Sequence, residues 1–266
     1  MATSLETYRT LVRPRSLRTE PVQAVILAAG RGSRLEHLSR ATPKCLVEVG
    51  GKALLEHQLD TLAGLGVSDV TIVTGYRAAQ VREVAGGRAR FVANDAWDGT
   101  NSLYSMALCQ SRVRGELLVM NCDVLAHPLA LRRLMEAGPN AFLYDSASGD
   151  AEEDMKVELR HGRLAAMSKS LPAHRTDGEN VGILRFDAGA ARMLFRQAEA
   201  LLAQGRRDLW LAAAVERLAQ TVPLRGVDIA DLPWTEIDFP HDLERARSRI
   251  WPQIARSSAP QVRVAA

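Results

Sequence analysis

The stretch Val22-Gln23-Ala24-Val25-Ile26-Leu27-Ala28 runs without a break into Ala29-Gly30-Arg31-Gly32-Ser33-Arg34, and its reading decides the fold. A short, almost wholly apolar run bounded by glycines suits a strand buried on both faces, as in a parallel sheet. The small residues and glycines that follow let the backbone approach a ligand closely. Successive N–H groups in such a turn cradle phosphate oxygens. Arg31 and Arg34 add permanently charged, forked donors. Two other phosphate loops fail on detail. A dinucleotide fingerprint needs a third glycine where Leu35 stands, and Gly51-Lys52 is followed by Ala53 rather than Ser or Thr. A tight strand-to-helix turn without a ligand stays open on the glycines alone.

Outward from this stretch, apolar periodicity alternates between strand and helix. Strands are expected at 70–74, 90–93, 116–122 and 141–145, and helices at 52–64, 78–85, 102–111 and 129–137. Leu54, Leu55, Leu59 and Leu62 mark one helix face. This β-α-β-α order builds a mostly parallel sheet with helices on both faces. Later the rhythm changes. Strands at 156–160 and 163–168 flank His161-Gly162, a hairpin signal. Further strands are expected at 181–186, 221–229 and 234–237, and helices at 188–203, 209–219 and 241–250.

No linker or repeat divides the chain. The expectation is one Rossmann-like α/β domain over residues 21–250, with a mixed, mostly parallel sheet and helices on both faces. Residues 1–20 carry four arginines and few apolar residues, and read as a loosely docked N-terminal extension without the apolar core of a secretory signal. Residues 251–266 read as a poorly anchored C-terminal tail.

Composition narrows the function. The 266 residues hold 34 Lys+Arg against 31 Asp+Glu, a balance too mild to argue for a nucleic-acid partner. No apolar run approaches the ~18–20 residues that span a bilayer, so no membrane partner is expected. Cys45, Cys109 and Cys122 are scattered and odd in number, which reads as free buried thiols in a reducing, cytoplasmic setting.

Three residues invite a closer reading. Pro43 stiffens the backbone beside Lys44, and a lysine on a rigid loop is a good phosphate counter-charge. Asp123 ends the run 116–122, and Asp238 ends the stretch that opens at Trp234. Both belong at carboxyl ends of strands, where open α/β sheets bind ligands. Two carboxylates there suit Mg²⁺, although either alone also suits a turn or a helix cap.

Together, Leu27-Ala28-Ala29-Gly30-Arg31-Gly32-Ser33-Arg34-Leu35 and Thr42-Pro43-Lys44 resemble the signature, G-x-G-x-R then P-K, of nucleotidyltransferases that make activated nucleotide-diphosphate compounds. The resemblance runs to about Arg247 and implies a nucleotide-diphospho-sugar transferase-like fold. It implies that a phosphate oxygen of the acceptor attacks the α-phosphorus of a nucleoside triphosphate and pyrophosphate leaves. It further implies nucleotide contacts from Leu27, Ala28, Ala29, Gly30, Arg31, Gly32, Asn101 and Ser102. Arg34, Lys44 and Lys156 would neutralise phosphate charge, and Asp123 and Asp238 would hold the cofactor Mg²⁺.

Asn101-Ser102-Leu103 resembles the N-S-L of the phosphocholine cytidylyltransferase branch, where sugar-1-phosphate relatives usually show G-T-A. Lys156, in Asp154-Met155-Lys156-Val157, matches a lysine that faces the acceptor phosphate in that branch. Glu179 is a reader of a cationic head group or a solvated loop glutamate. Glu236-Ile237-Asp238-Phe239-Pro240-His241-Asp242-Leu243 matches E-I-D-x-x-x-D-L, with Asp242 capping the last helix. The implied partners are CTP, or another nucleoside triphosphate, and a small phosphate or phosphonate, as in phosphocholine and 2-aminoethylphosphonate cytidylyltransferases. The alternative is a sugar-1-phosphate nucleotidylyltransferase. Two departures stand out. Asn121-Cys122 precede Asp123 where relatives more often have glycine, and nothing shows Trp97, Tyr104, Tyr144, Trp210 and Trp234 converging on a cation. A homodimer is left open.

Overall fold

A computed structural model describes residues 21–35, 42–148 and 151–258. The expected extension 1–20 lies outside the described residues. β1 (Gln23–Ala28) is the strand read from the opening run, and five of its six residues are buried. A two-residue hairpin follows, β2 (Glu48–Val49) and β3 (Lys52–Ala53), then α1 (Leu54–Gly64), β4 (Asp69–Thr74), α2 (Ala78–Ala85) and β5 (Arg90–Ala93). Next come α3 (Ser102–Ala107), β6 (Leu117–Asn121), β7 (Val124–Ala126), α4 (Pro128–Glu136) and β8 (Ala141–Asp145). The second half holds β9 (Lys156–Arg160), β10 (Arg163–Ser168), β11 (Gly178–Phe186), α5 (Ala188–Leu202), α6 (Ala212–Ala219) and β12 (Arg225–Asp228). β13 (Trp234–Glu236), α7 (Pro240–Arg245) and α8 (Trp251–Ser258) end the described chain.

Among the described residues, nine strands form one sheet in the order β5-β4-β1-β6-β11-β8-β12-β10-β9. β5, β4, β1 and β6 run parallel, and β11 is antiparallel to both β6 and β8. The expected mixed, mostly parallel order holds through β6, and the antiparallel pairs gather beyond it. Alternate residues of β1 feed the two faces. Ala24, Ile26 and Ala28 pack with α1 residues Leu55, Leu59 and Leu62. Val25 and Leu27 pack with α3 and α5 through Leu103, Met106 and Leu194. Burial of each such valine, leucine, isoleucine or methionine side chain contributes about 1.5–3 kcal/mol, which explains why the helices sit on both faces. Among the described residues, no helix is long and apolar enough to cross a membrane.

Two expectations need correction. The helix expected from 52 begins at Leu54, because Lys52–Ala53 pairs back onto Glu48–Val49. Gly50 and Gly51, at φ 62° and 80°, supply the left-handed backbone of a two-residue hairpin turn. The poorly anchored end expected from Trp251 is instead helical over Trp251–Ser258. Ile254 is buried with Leu35, Leu54 and Leu243, and the Trp251 ring lies 4.6 Å from that of His57. Residues 259–266 lie outside the described residues.

Candidate active site

The segments that leave β1, β5 and β6 at their carboxyl ends wall a cleft of about 340 Å³, the place where an open α/β sheet binds ligands. Leu27, Ala29, Gly30 and Gly32 line it. Ala28 turns into the core, and the Arg31 guanidinium lies 5.6 Å over the Tyr76 ring, so neither lines the cleft. Gly32 has φ 71°, and a Cβ there would lie 2.7 Å from the Cβ of Lys44. Only glycine meets both demands.

Pro43, at φ −57° and ψ 147°, leads into a single helical turn over Lys44–Leu46. That turn buries the Lys44 side chain and aims it across the cleft floor. Its Nζ donates to Asp123 Oδ2 at 2.7 Å and to Asp238 Oδ1. Burial alone would lower the lysine pKa. The charges of Asp123, Asp238 and Glu236 outweigh it and raise the value, so the ammonium is permanent.

Strand pairing brings the two aspartates together from 115 residues apart in sequence. Asp123 sits in the turn between β6 and β7, which α1 pins through Gln58. The Gln58 amide donates to Asn121 O at 2.7 Å and Val124 O at 3.0 Å. β13 pairs antiparallel with β7, Glu236 opposite Val124, and the Ile237 N–H donates to Asp123 O at 3.1 Å. Asp242, in the first turn of α7, accepts the N–H groups of Asp238 and Phe239 and fixes that end. This confirms the capping role read for Asp242.

One oxygen each from Asp123, Glu236 and Asp238 gathers within 4.8 Å. Asp123 Oδ1 is buried with no hydrogen-bond partner among the described residues. A hard-oxygen donor set with an orphaned carboxylate oxygen fits a divalent cation such as Mg²⁺. Burial would raise the Asp238 carboxyl, but Lys44 and Arg34 hold it below its ordinary value. Burial and the Asp123 charge push the Glu236 carboxyl well up. The sequence does not single out Glu236 as a candidate ligand. Its signal was its place two residues before Asp238 in an extended segment, on the same face.

Arg34 stands at the rim. Its Nη1 is 3.2 Å from Asp238 Oδ2, its Nη2 is 3.0 Å from Glu153 Oε2, and its guanidinium lies 5.5 Å over the Phe239 ring. Asn101 caps α3 by accepting the Ser102 N–H at 2.8 Å, and Ser102 Oγ accepts the Leu211 N–H at 2.8 Å. Both residues also line the cleft.

Two readings change. Lys156 does not line the cleft, because its buried Nζ donates to the carbonyl of Lys169 at 3.0 Å. Lys169 lines it instead. Glu179 also stands behind the wall, accepting from the Ser148 hydroxyl. Burial pushes its carboxyl to about 7, with Ser148 opposing and Asp154 and Asp145 adding to the rise. Of the five aromatics, Trp97 and Trp210 line the cleft, whereas Trp234 donates to Asp145 Oδ2 at 2.7 Å. The three cysteines are free and buried, as read from the sequence.

Residues 24–218 match the MobA-like NTP transferase domain family. The chain is 32% identical over 251 residues to the CMP-5'-(3-aminopropyl)phosphonate synthase of Streptomyces rubellomurinus, covering 87% of this chain and 39% of that protein. It is 31% identical over 244 residues to the bifunctional IPC transferase and DIPP synthase of Rubrobacter xylanophilus, covering 87% and 52%. The chain thus spans about half or less of the length of these relatives. Its fold is similar to that of the CTP:phosphocholine cytidylyltransferase of Streptococcus pneumoniae, with TM-score 0.71 and 23% identity over 85% of this chain and 98% of that one.

Proposed function

The chain belongs to the MobA-like NTP transferase family and is a nucleotidyltransferase, and from that premise we propose that it is a CTP-dependent cytidylyltransferase. In this reading it transfers CMP to a small phosphate or phosphonate and releases pyrophosphate. The observation that carries the transfer chemistry is the buried Lys44 ammonium held between Asp123 and Asp238 on the cleft floor. Support for CTP comes from Asn101-Ser102-Leu103 and from the relatives' names. Support for a small non-sugar acceptor comes from Met155, Met167, Trp210 and Val215, which give one side of the cleft an apolar surface. A sugar would need partners for its hydroxyl groups there.

An acceptor phosphate is already anionic, so the chain needs no base. One acceptor oxygen forms a bond to the α-phosphorus. The bond to the α–β bridging oxygen breaks, and its electron pair leaves on pyrophosphate. Lys44 and Arg34 neutralise the charge that builds on the phosphates. Asp123, Glu236 and Asp238 would hold Mg²⁺, which supplies charge neutralisation to the triphosphate when bound. The glycine loop offers backbone N–H groups, and Leu27, Ala29, Asn101 and Ser102 wall the nucleotide. Lys156 acts through Lys169, by fixing its carbonyl. We assign this catalytic unit to residues 21–250 and place the reaction in the cytoplasm.

The test is pyrophosphate release with Mg²⁺, pairing CTP, UTP, GTP and ATP with small phosphates, phosphonates and hexose-1-phosphates, with Asp123→Ala as the blank. Turnover with CTP and a small non-sugar acceptor supports the proposal. Turnover confined to a hexose-1-phosphate refutes it.

A further inference from the structure

A second cavity, of about 240 Å³, opens at the end of the sheet opposite the cleft. Its walls are the loop that enters β6 and one flank of α5, the helix that follows β11. Asp123 lies beyond the carboxyl end of β6 and Gly115 before its amino end, so the strand's length, about 17 Å at about 3.3 Å per residue, separates the two. Arg114 comes from the loop. Arg192 and Arg196 come from α5, four residues apart and so on one face. Among the described residues, none of these three guanidinium groups has an ion-pair or hydrogen-bond partner. Asp187, whose charge Arg192 feels, is already committed, since it accepts the Ala190 N–H and an Asn140 side-chain N–H at 2.7 Å each. Among the lining residues only Glu199 is acidic, so three positive charges face one negative charge and leave an excess of two. Other contacts fix the walls. The Gln23 side-chain carbonyl accepts the N–H groups of Arg114 and Gly115 at 2.5 and 3.1 Å, and its amide donates to Arg112 O at 3.1 Å. Ala191 and Phe195 anchor α5 in the core beneath the cavity.

We infer that Arg114, Arg192 and Arg196 form a second ligand site, separate from the cleft, for a small molecule that joins a phosphate or phosphonate dianion to a short apolar body. A dianion balances the excess charge, and guanidinium forks match the spacing of its oxygens. Val113 and Phe195 give the same cavity an apolar surface for the rest of the ligand. The volume sets the size of that ligand. At about 30 Å³ for each water displaced, the cavity holds the equivalent of about eight waters, enough for a phosphate and one ring or a few carbons. It is smaller than the about 300 Å³ at which pockets for drug-sized ligands begin, which leaves no room for a nucleoside triphosphate. The site stands on its own geometry and needs no reading of the reaction in the cleft.

Phenylphosphonate is the probe, titrated calorimetrically at fixed ionic strength and about pH 8, above the second ionisation of such groups. The proteins are the full-length chain, the double variant Arg192→Gln/Arg196→Gln, and Arg34→Gln as a change confined to the cleft. Arg192 and Arg196 are exposed on α5, and glutamine is as good a helix former as arginine, so the double variant keeps the fold. It is expected to bind the probe about tenfold more weakly or worse, the size of one or more charge-assisted hydrogen bonds. Arg34→Gln is expected to keep that binding. Methylphosphonate, which lacks the ring, is expected to bind the full-length chain about threefold more weakly or worse. Equal affinity of the full-length chain and the double variant overturns the inference. So does a loss in Arg34→Gln that the double variant does not share, because the probe then sits in the cleft. Equal binding of the two phosphonates overturns the assignment of an apolar body, and absence of binding by the full-length chain at millimolar probe overturns the site itself.

Discussion

Replacing Lys44 with methionine keeps the apolar stem and deletes one buried charge. That charge is the positive partner of Asp123 and Asp238 and lies beside Glu236. Breaking a buried ion pair from one side costs about 3–5 kcal/mol, because it strands the other charge. The stranded aspartates here are 17% and 24% exposed, so water relieves part of the cost. We expect the lower end, about 3 kcal/mol near neutral pH. At about 2–4 °C per kcal/mol for a chain of this size, Tm falls by about 6–12 °C. The pH dependence follows from the carboxylates. With Lys44 present the folded Asp238 pKa is depressed, so its contribution is present above the unfolded value and is lost as pH falls through the folded one. Without Lys44 the Asp238 carboxyl loses the charge that holds it down, and Glu236, already pushed well up, loses its opposing cation, so both folded pKa values move upward. A rise in a folded pKa removes stability as pH rises, so the deficit of Lys44→Met is larger at about pH 8 than at about pH 5. A divalent cation can take the place of the ammonium, so Mg²⁺ recovers more Tm in the variant than in the parent. Pyrophosphate release drops by about 10²–10³-fold, as when one preorganised charge-stabilising donor is lost. Calorimetric melts at both pH values, with and without Mg²⁺, read the stability part. A variant that melts with the parent at both pH values and ignores Mg²⁺ refutes the reasoning.

Asp123→Asn deletes the negative charge that faces Lys44 and the cation site and turns one carboxylate oxygen into an amide NH2, so turnover falls by about 10²–10³-fold. Chelation of divalent cations abolishes turnover in the parent, and retained activity in either experiment contradicts the trio's role. Glu179, raised from 4.5 to about 7, costs the fold stability as pH climbs between those values, on the order of 3 kcal/mol in all. Glu179→Gln therefore matches the parent's Tm near pH 4.5 and exceeds it above pH 7, and melting curves that stay parallel would disprove this. Gly32→Ala forces a side chain into a left-handed backbone and against Lys44, for a loss of about 1–2 kcal/mol by denaturant unfolding with a parallel loss of kcat. Wild-type kcat in that variant breaks the link between the glycine loop and Lys44.

The fold is legible where burial alone decides the pattern. The run around Ile26 reads as a parallel strand because both its faces are buried, which alternation in a half-exposed strand would not resemble. The short hairpin at Gly50-Gly51 is hidden for the opposite reason, since Lys52–Ala53 continues the apolar rhythm of the helix it precedes. The end of the chain misleads as well. Trp251–Ser258 offers Trp251 and Ile254 as its main apolar anchors, and what buries them is a surface built by Leu35, Leu54 and His57, far away in sequence.

The site divides along the same line. Lys44, Asp123 and Asp238 sit on short, stiff segments next to strand ends, so their place follows from the strands, and the motif resemblance names them. The proposed acceptor side depends on a hairpin, and there register matters more than residue type. β9 and β10 pair with an irregularity between Leu164 and Ala166, which breaks any count by twos along β10. Lys156 and Lys169 flank that hairpin, and a residue pattern cannot say which ammonium reaches the cleft and which holds a carbonyl. A lysine buried among strands must satisfy its donors locally, and Lys156 does so on the Lys169 backbone. That demand leaves Lys169, and not Lys156, lining the cleft. Polar satisfaction in the folded chain, which no sequence pattern encodes, therefore decides between the two lysines.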